Sequence, residues 1–267
     1  MSEENFKNTF DKIAKNYDDN FTFTLSGKFQ RELVYDSIIE YITQKRQILE
    51  LNCGTGEDAV RLARAGNRVT GIDISPVMIE LANAKIRMYN QEEKVNLISG
   101  NLVDFVAEND LSEFDIVFSN FGGLNCISKQ EFIELSKNLT SKLKKGSILI
   151  FVMMSDFCLT ESLHFFLKFN FQSALKRIKK GETATIGVDE VPVHYFSPKE
   201  VSQIFSDAFT TKLIKPVGVI IPPSYLNSRL QHDERKFYSF YNFEKKYLSS
   251  KIYTRISDHF LIILEKI

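Results

Sequence analysis

The stretch Ile48-Leu-Glu-Leu-Asn-Cys-Gly-Thr-Gly56 joins a short apolar segment to a turn that contains two glycines. A helical pattern follows, and Arg68 to Asp73 then has the composition of a second strand. Because glycine lacks a Cβ atom, Gly54 and Gly56 let a ligand approach the backbone at the carboxyl end of the first strand. Asp73 ends the second strand at the same edge, where a carboxylate can accept hydrogen bonds from both hydroxyls of a ribose. This stretch therefore predicts a site for a nucleoside-containing cofactor.

The same alternation of strand and helix continues to Met154. Further apolar strands are predicted at Val95 to Ser99, Asp115 to Ser119 and Ser147 to Met154, with helical patterns between them. Strands that are apolar throughout and alternate with helices are typical of a parallel sheet that is covered on both faces. The pattern therefore predicts a doubly wound α/β fold.

Helices precede this core, and the alternation lapses after Met154. We expect a helical cap over residues 1–46, the cofactor-binding core over 47–154, an inserted substrate lid over 155–197 and completion of the core sheet over 198–267. Within the lid, Cys158 to Ile178 is predicted to form one Phe-rich helix, so aromatic side chains are expected to roof the substrate pocket. The apolar run that begins at His259 predicts a final strand.

Composition argues against several classes of protein. The 267 residues include 34 Lys and Arg against 34 Asp and Glu, and a formal net charge of zero does not favour a nucleic-acid-binding surface. Apolar runs such as Ile148 to Met154 are too short to cross a bilayer, and the N-terminal segment lacks the basic and apolar parts of a signal peptide. Three widely spaced cysteines indicate neither a disulfide framework nor a zinc site. We therefore expect a soluble, cytoplasmic protein with no metal, membrane or nucleic-acid partner.

Two cofactor classes fit the glycine turn. Gly54 to Ala59 matches the GxGxxA pattern of dinucleotide-binding proteins, which would make the chain an NAD-type oxidoreductase. However, Glu50 precedes the turn where it could meet a cationic amino group. Glu57 and Asp58 open the following helix, at the terminus where a pyrophosphate would otherwise bind. These carboxylates favour a cationic cofactor that contains an amino acid.

Several motifs, in the right order, resemble one family. Glu50 to Gly56 and Val69 to Met78 are similar to the first two motifs of the class I S-adenosylmethionine-dependent methyltransferases. Phe10 to Asp18 is similar to the helix that covers the cofactor in many members that act on small molecules, and Phe114 to Asn120 and Leu143 to Ile150 continue the resemblance. The resemblance implies S-adenosylmethionine as the cofactor. It also implies a Rossmann-like, doubly wound seven-stranded sheet, mostly parallel with a reversed last strand, plus an inserted lid.

The resemblance also assigns cofactor contacts to individual residues. It implies that the methionine amine is held by Glu50 and by the backbone of Asn52, Cys53, Gly54 and Gly56, and that Tyr17 and Arg31 close over the methionine carboxylate. Asp73 would bind the ribose hydroxyls, Ile74 and Met78 would contact the adenine, Asn101 and Leu102 would line its edge, and Asn120 and Phe121 would face the sulfonium.

Two positions depart from the family pattern. Asn52 stands where the family usually has its first glycine, so its side chain is expected to point away from the ligand. Asn101 stands where an acid is often found, which implies that the adenine amino group is recognised more weakly or through the amide oxygen.

The resemblance implies transfer of a methyl group to an oxygen or nitrogen atom of a small-molecule metabolite by in-line displacement, and a carbon acceptor stays open. His194, in the expected lid, is the candidate base for removing a proton from the acceptor. The alternatives are a methyltransferase that acts on RNA or protein, and a non-catalytic module that binds S-adenosylmethionine. The sequence of the expected lid has no motif that identifies the acceptor.

Overall fold

Seven strands form one sheet in the order β3-β2-β1-β4-β5-β9-β8, and two more form a separate hairpin. The computed structural model describes residues 3–178, 183–186, 189–226 and 232–267. The strands are β1 (Gln47–Leu51), β2 (Arg68–Asp73), β3 (Val95–Ser99), β4 (Ile116–Ser119), β5 (Ile148–Met154), β6 (Thr183–Ile186), β7 (Asp189–Pro192), β8 (Phe209–Val217) and β9 (His259–Lys266). Strands β1 to β5 are parallel to one another, whereas β9 runs antiparallel to both β5 and β8. The predicted seven-stranded, mostly parallel sheet with a reversed last strand is confirmed.

Helices cover both faces of this sheet. They are α1 (Glu3–Tyr17), α2 (Leu25–Ile42), α3 (Glu57–Arg64), α4 (Pro76–Met88), α5 (Leu102–Glu108), α6 (Lys129–Lys142), α7 (Leu159–Leu167), α8 (Phe171–Ala174), α9 (Pro198–Ile204) and α10 (Glu234–Tyr247). Successive residues of a strand point to opposite faces, and β1 shows this clearly. Leu49 packs in a buried cluster with Phe132 of α6, whereas Ile48 packs in a second cluster with Val34 of α2. Both faces of the sheet are therefore core, as its uniformly apolar strands predict.

Side-chain caps mark the starts of α4, α5 and α6. The Ser75 hydroxyl accepts a hydrogen bond from the backbone N–H of Met78, and Pro76 occupies the first turn of α4. Ser128 and Glu131 form a reciprocal capping box at the start of α6. These caps stop each connection close to the sheet edge and so hold the loops at the carboxyl ends of the strands in place.

The structure divides the predicted Phe-rich helix. Helix α7 ends at Leu167, Phe169 adopts a left-handed backbone with a φ of 56°, and the Asn170 side chain caps α8. Phe166, Phe169 and Phe171 are each more than half exposed. The prediction of one continuous helix was wrong because this break interrupts it, and these rings do not line the pocket described below.

The remaining sequence-based boundaries differ at the ends of elements. The sequence predicts a strand from Thr210 to Ile221 and a Tyr-rich helix from Tyr225 to about Ser249. In the structure the strand ends at Val217, and the helix begins at Glu234 after a short turn at Ser224–Leu226. The turn of the β6–β7 hairpin, with Gly187, lies outside the described residues. Among the described helices, none is both long enough and apolar enough to cross a membrane.

Candidate active site

A cavity of about 390 Å³ opens at the carboxyl ends of β1, β2 and β4, under α1. The order of the strands reverses between β1 and β4, and such a switch point is where doubly wound sheets bind ligands. The volume lies within the range of roughly 300–1,000 Å³ that is usual for small-molecule sites. Much of the wall is apolar. The N-terminal segment contributes Phe6, Phe10, Ile13 and Phe21, and later parts of the chain contribute Phe121, Met154, Val193 and Pro223.

The two glycines of the first turn have different surroundings. Both adopt a left-handed backbone, with φ of 51° at Gly54 and 74° at Gly56. A Cβ atom at Gly54 would meet no atom within 4 Å, whereas one at Gly56 would lie 2.8 Å from the Cβ of Ala82 in α4. Gly54 therefore leaves open space at the cavity edge, and Gly56 allows α3 and α4 to pack closely.

Asp73 lies at the cavity wall and joins β2 to the glycine turn. Its two carboxylate oxygens accept hydrogen bonds from the backbone N–H of Gly54 at 2.8 Å and of Ser75 at 3.0 Å. Burial raises the pKa of this carboxyl group to about 6. Each carboxylate oxygen can accept a second hydrogen bond, so Asp73 can still receive hydroxyl donors from a ligand.

Besides the Ser119 hydroxyl, three buried acceptor oxygens near the ends of β1 and β4 have no hydrogen-bond partner among the described residues. They are Oε2 of Glu50 and the side-chain oxygens of Asn52 and Asn120. Glu50 pairs in register with Phe118, so Asn52 and Asn120 follow β1 and β4 at equivalent positions. Unpartnered buried acceptors cost about 1–3 kcal/mol each, which makes them uncommon in folded proteins. Their chemistry fits a ligand that brings several N–H donors, such as an ammonium group.

The electrostatic environment of Glu50 also favours a cationic ligand. Burial, and then the nearby negative charge of Asp58, raise the pKa of Glu50 well above its usual value. A cation placed beside this carboxyl group would counteract both effects, since it favours the charged form. The site is therefore arranged for a positively charged group.

Asp58 is the partner of Arg31. The guanidinium Nε lies 2.9 Å from one carboxylate oxygen of Asp58, and the Tyr35 hydroxyl donates to the same oxygen at 3.0 Å. The Asn120 amide nitrogen donates to the other oxygen of Asp58 at 3.0 Å. Arg31 also lies 4.9 Å from the centre of the Phe121 ring and is not a cavity-lining residue. It is thus placed behind the wall, where it neutralises Asp58 and supports Asn120 and Phe121.

The structure brings together only part of the set of residues named from the sequence. Eight line the cavity: Tyr17, Asn52, Gly54, Asp73, Ile74, Met78, Asn120 and Phe121. Six of the cofactor residues do not: Arg31, Glu50, Cys53, Gly56, Asn101 and Leu102. Among these, the Asn101 side chain accepts the backbone N–H of Val103 and caps α5, and Leu102 is buried in the core.

One expectation about a side chain needs correction. Asn52 does not simply turn away from the pocket, because it lines the cavity and its side chain lies 2.5–2.6 Å from where a Cβ of Gly123 would be. Cys53 is buried beside Gly71, where a Cβ would lie 3.1 Å from the Cys53 sulfur. Asn52 is accommodated by a glycine on a neighbouring loop, which sequence spacing cannot reveal.

The histidine at the cavity is a different one from the histidine named from the sequence. His194 forms backbone hydrogen bonds with Asn125, and burial and the Lys129 ammonium lower its pKa, but its side chain does not line the cavity. His259, at the start of β9, does line the cavity. Sequence reasoning assigned it only as the start of a strand. The adjacent Asp258 is the one signal that could have marked it.

A hydrogen bond to the glycine turn and an ion pair with α4 hold the N-terminal segment in place. Asp18 accepts a hydrogen bond from the Thr55 hydroxyl at 2.6 Å and pairs with Lys85 at 2.8 Å. Lys85 also pairs with Glu57 at 3.1 Å. Further along, the Ser75 hydroxyl donates to Asp11 of α1 at 2.5 Å. These contacts hold α1 over the cavity.

Comparison with known proteins identifies the domain that carries this site. A family model described as a methyltransferase domain matches residues 48–146. The YqeM protein of Bacillus subtilis, whose name describes it as a methyltransferase, is 32% identical over 121 residues, covering 45% of this chain and 47% of its own. The demethylmenaquinone methyltransferase of Lactiplantibacillus plantarum is 30% identical over 132 residues, covering 48% of this chain and 54% of its own. Residues 48–146 therefore match a methyltransferase domain, which supports the resemblance to the class I S-adenosylmethionine-dependent methyltransferases.

A solved structure of similar fold extends the match to nearly the whole chain. The DhpI–SAH complex superposes with a TM-score of 0.62 at 15% identity and covers 99% of this chain and 96% of that chain. At this identity the likeness concerns the fold. The chain spans about half the length of the curated relatives it matches first. The cofactor of the family, S-adenosylmethionine, is cationic and contains an amino acid, as the site's carboxylates indicate.

The contrast between Gly54 and Gly56 gives a test of the methyltransferase site. An alanine at either position adopts a left-handed backbone, at a cost of about 1–2 kcal/mol. Gly56→Ala also overlaps Ala82, which adds about 1–3 kcal/mol, so we expect it to lower the free energy of unfolding more than Gly54→Ala. Gly54→Ala is expected to remain folded and to lose about tenfold or more in affinity for S-adenosylmethionine.

Urea unfolding and calorimetric titration of the two variants measure these effects. Equal affinity of Gly54→Ala and the wild type would place the ligand away from this turn.

Proposed function

We propose that the protein transfers a methyl group from S-adenosylmethionine to an oxygen or nitrogen atom of a small-molecule metabolite. The observation that carries the proposal is the cavity under α1. It combines the carboxylate of Asp73 with unpartnered acceptors on Asn52 and Asn120. A ligand with ribose hydroxyls and an ammonium group, such as S-adenosylmethionine, would satisfy both kinds of acceptor.

In this proposal, each wall of the cavity contacts a different part of S-adenosylmethionine. Asn52 and Asn120, with Glu50 behind them, receive the amino group, and Asp73 receives the ribose hydroxyls. Ile74 and Met78 provide an apolar surface for the adenine. The bound cofactor supplies an electrophilic methyl carbon on a sulfonium sulfur.

The residues that cover the cavity organise the transfer. Burial raises the pKa of the Tyr17 hydroxyl, which keeps it neutral and able to donate a hydrogen bond to the methionine carboxylate. Phe21 meets the Phe121 ring edge-on at 5.3 Å, so the cap and the loop after β4 close against each other. Such closure excludes water and aligns the reactants, and alignment can supply about 7–11 kcal/mol of the barrier reduction.

A small acceptor fits this enclosure better than a polymer. Helix α1 and the Asp18–Lys85–Glu57 ion pairs cover the site, and the walls are rich in apolar side chains. A nucleic acid would need clustered cations for its phosphates, and the net charge of the chain is zero. The same fold can carry other functions, so an RNA or protein methyltransferase and a non-catalytic binding module are the alternatives.

Calorimetric titration tests the proposal. S-adenosylmethionine and S-adenosylhomocysteine should both bind the purified protein, whereas NADH, as the control, should not. Binding of NADH alone would replace the proposal with an oxidoreductase. Binding of the first two without methyl transfer to any metabolite acceptor would favour the non-catalytic module.

The affinity should also depend on pH in a defined direction. Ribose hydroxyls donate to Asp73, so binding needs its charged form, and its pKa is about 6 in the free protein. Affinity is therefore expected to fall as the pH drops below 6, by up to roughly tenfold per pH unit. Titrations at pH 7.5 and pH 5 measure the change, and Asp73→Asn should lack the component centred near pH 6.

A further inference from the structure

The second half of the chain places an imidazole in the cavity. His259 is the first residue of β9, only 6% exposed, and its ring meets Phe121 edge-on with the centroids 5.4 Å apart. Its Nδ1 lies 3.3 Å from an oxygen of Asp258, at ion-pair distance but without hydrogen-bond geometry, so the carboxylate acts on the imidazole through its charge. Because Nδ1 faces this carboxylate, Nε2 is the ring nitrogen that His259 can present to a ligand.

Asp258 is itself held by a buried network. Arg177 donates from Nη2 to the other carboxylate oxygen at 2.7 Å, and the Gln30 amide donates to the oxygen that faces His259 at 3.2 Å. Arg177 also donates from Nε to Glu161 of α7 at 2.7 Å. Burial raises the pKa of Asp258, but the nearby His259 and Arg177 outweigh this effect and hold the pKa well below its usual range. Asp258 therefore stays charged and fixes the orientation of the imidazole.

We propose that His259 is the catalytic base and that the acceptor is a neutral apolar molecule with a hydroxyl group. This inference rests on the proposed function and decides between its oxygen and nitrogen acceptors. Asp258 is a positioning residue: its carboxylate keeps the proton of neutral His259 on Nδ1 and leaves the lone pair on Nε2.

The methyl transfer involves the acceptor hydroxyl, the methyl group of the cofactor and His259. The hydroxyl oxygen forms a bond to the methyl carbon as the carbon–sulfur bond breaks, and its proton passes to Nε2. The positive charge of the sulfonium is thereby transferred to the imidazolium, which Asp258 stabilises and which then releases the proton to water. A hydroxyl is a weak nucleophile until this proton leaves, whereas a neutral amine attacks with its own lone pair. A buried base beside the cavity therefore indicates a hydroxyl acceptor.

Nuclear magnetic resonance of the free protein tests the geometry without any acceptor. The chain has four histidines, so the spectrum of ¹⁵N-labelled imidazoles is simple, and His259→Gln identifies the signal of His259. At pH 8 we expect the proton on Nδ1 and none on Nε2. A proton on Nε2 would overturn the proposal, because that nitrogen could not then accept one.

Methyl transfer tests the chemistry with matched acceptors. Phenols and the corresponding anilines are offered to the wild type, His259→Gln and the control His164→Gln, whose side chain lies outside the cavity. We expect methylation of phenols, a loss of about 10²–10⁴-fold in turnover by His259→Gln alone, and unchanged S-adenosylhomocysteine affinity in all three proteins. Methylation of anilines only, or an unchanged rate in His259→Gln, would overturn the assignment of His259.

The two proposals fail in different ways. A wild-type protein that binds neither S-adenosylmethionine nor S-adenosylhomocysteine would remove the proposed function. A protein that binds both, with the proton of His259 on Nε2, would remove only the present inference.

Discussion

Replacing Asp73 by alanine is expected to weaken the binding of S-adenosylmethionine by about 100-fold or more. The carboxylate would accept both ribose hydroxyls, and hydrogen bonds to a charged group contribute roughly 1.5–3 kcal/mol each. A loss of about 3 kcal/mol corresponds to roughly two orders of magnitude in Kd. The substitution also frees the backbone N–H of Gly54, which loosens the turn that faces the ligand.

Two control variants isolate the role of this carboxylate. Asp73→Asn keeps one oxygen that can accept a backbone N–H, so it should fold well and lose affinity less severely than Asp73→Ala. Asp110→Ala removes a carboxylate that also accepts a backbone N–H, from Ser112, but at an exposed turn. Calorimetric titration should show wild-type affinity for Asp110→Ala. Wild-type affinity in Asp73→Ala would disprove the ribose assignment.

Replacing Arg177 by methionine is expected to destabilise the fold by about 3–5 kcal/mol. The guanidinium pairs with both Glu161 and Asp258, and all three side chains are nearly inaccessible to solvent. Methionine roughly preserves the volume but leaves the buried Asp258 without its guanidinium and Glu161 with only the Lys176 ammonium at 2.9 Å. Removal of one partner from a buried ion pair typically has this cost. Urea unfolding followed by far-ultraviolet circular dichroism measures the change in the free energy of unfolding.

A surface ion pair provides the comparison. Lys28 pairs with Glu234 at 2.7 Å, but the two side chains are 52% and 63% exposed. Exposed pairs contribute about 0–1 kcal/mol, so Lys28→Met should change the stability little. Equal effects of Arg177→Met and Lys28→Met would mean that the buried Glu161–Arg177–Asp258 network contributes no more to stability than an exposed ion pair.

The first half of the chain could be predicted because its strands, turns and helix starts have local sequence signals. The run from Ile48 to Gly56 joins a buried strand, a turn that needs left-handed backbone and a helix start, and each of these has its own sequence signal. Asp73 follows because the carboxyl ends of parallel strands meet at one edge of the sheet. Residues such as Asp73 and Asn120 could therefore be placed at one cavity without knowledge of the packing.

Local chemistry did not predict the partners of individual side chains. Arg31 was assigned to the ligand, yet it pairs with Asp58, a residue 27 positions away. Gly56 was grouped with Gly54 because both lie in one motif, but its surroundings are set by Ala82 on another helix. In both cases the deciding contact lies between elements, and sequence spacing has no information about it.

Residue periodicity and one short continuous motif were enough to predict the sheet and the class of cofactor. Which histidine reaches the cavity depends on contacts between elements. His194 and His259 both lie outside the motifs, and although the apolar run from His259 predicts a strand, nothing in that run shows that the strand begins at the cavity. Strand β9 inserts antiparallel between β5 and β8, and this pairing carries His259 to the sheet edge beside Phe121. Gln30 and Arg177, which donate hydrogen bonds to the adjacent Asp258, are distant from it in sequence, and only folding brings them together.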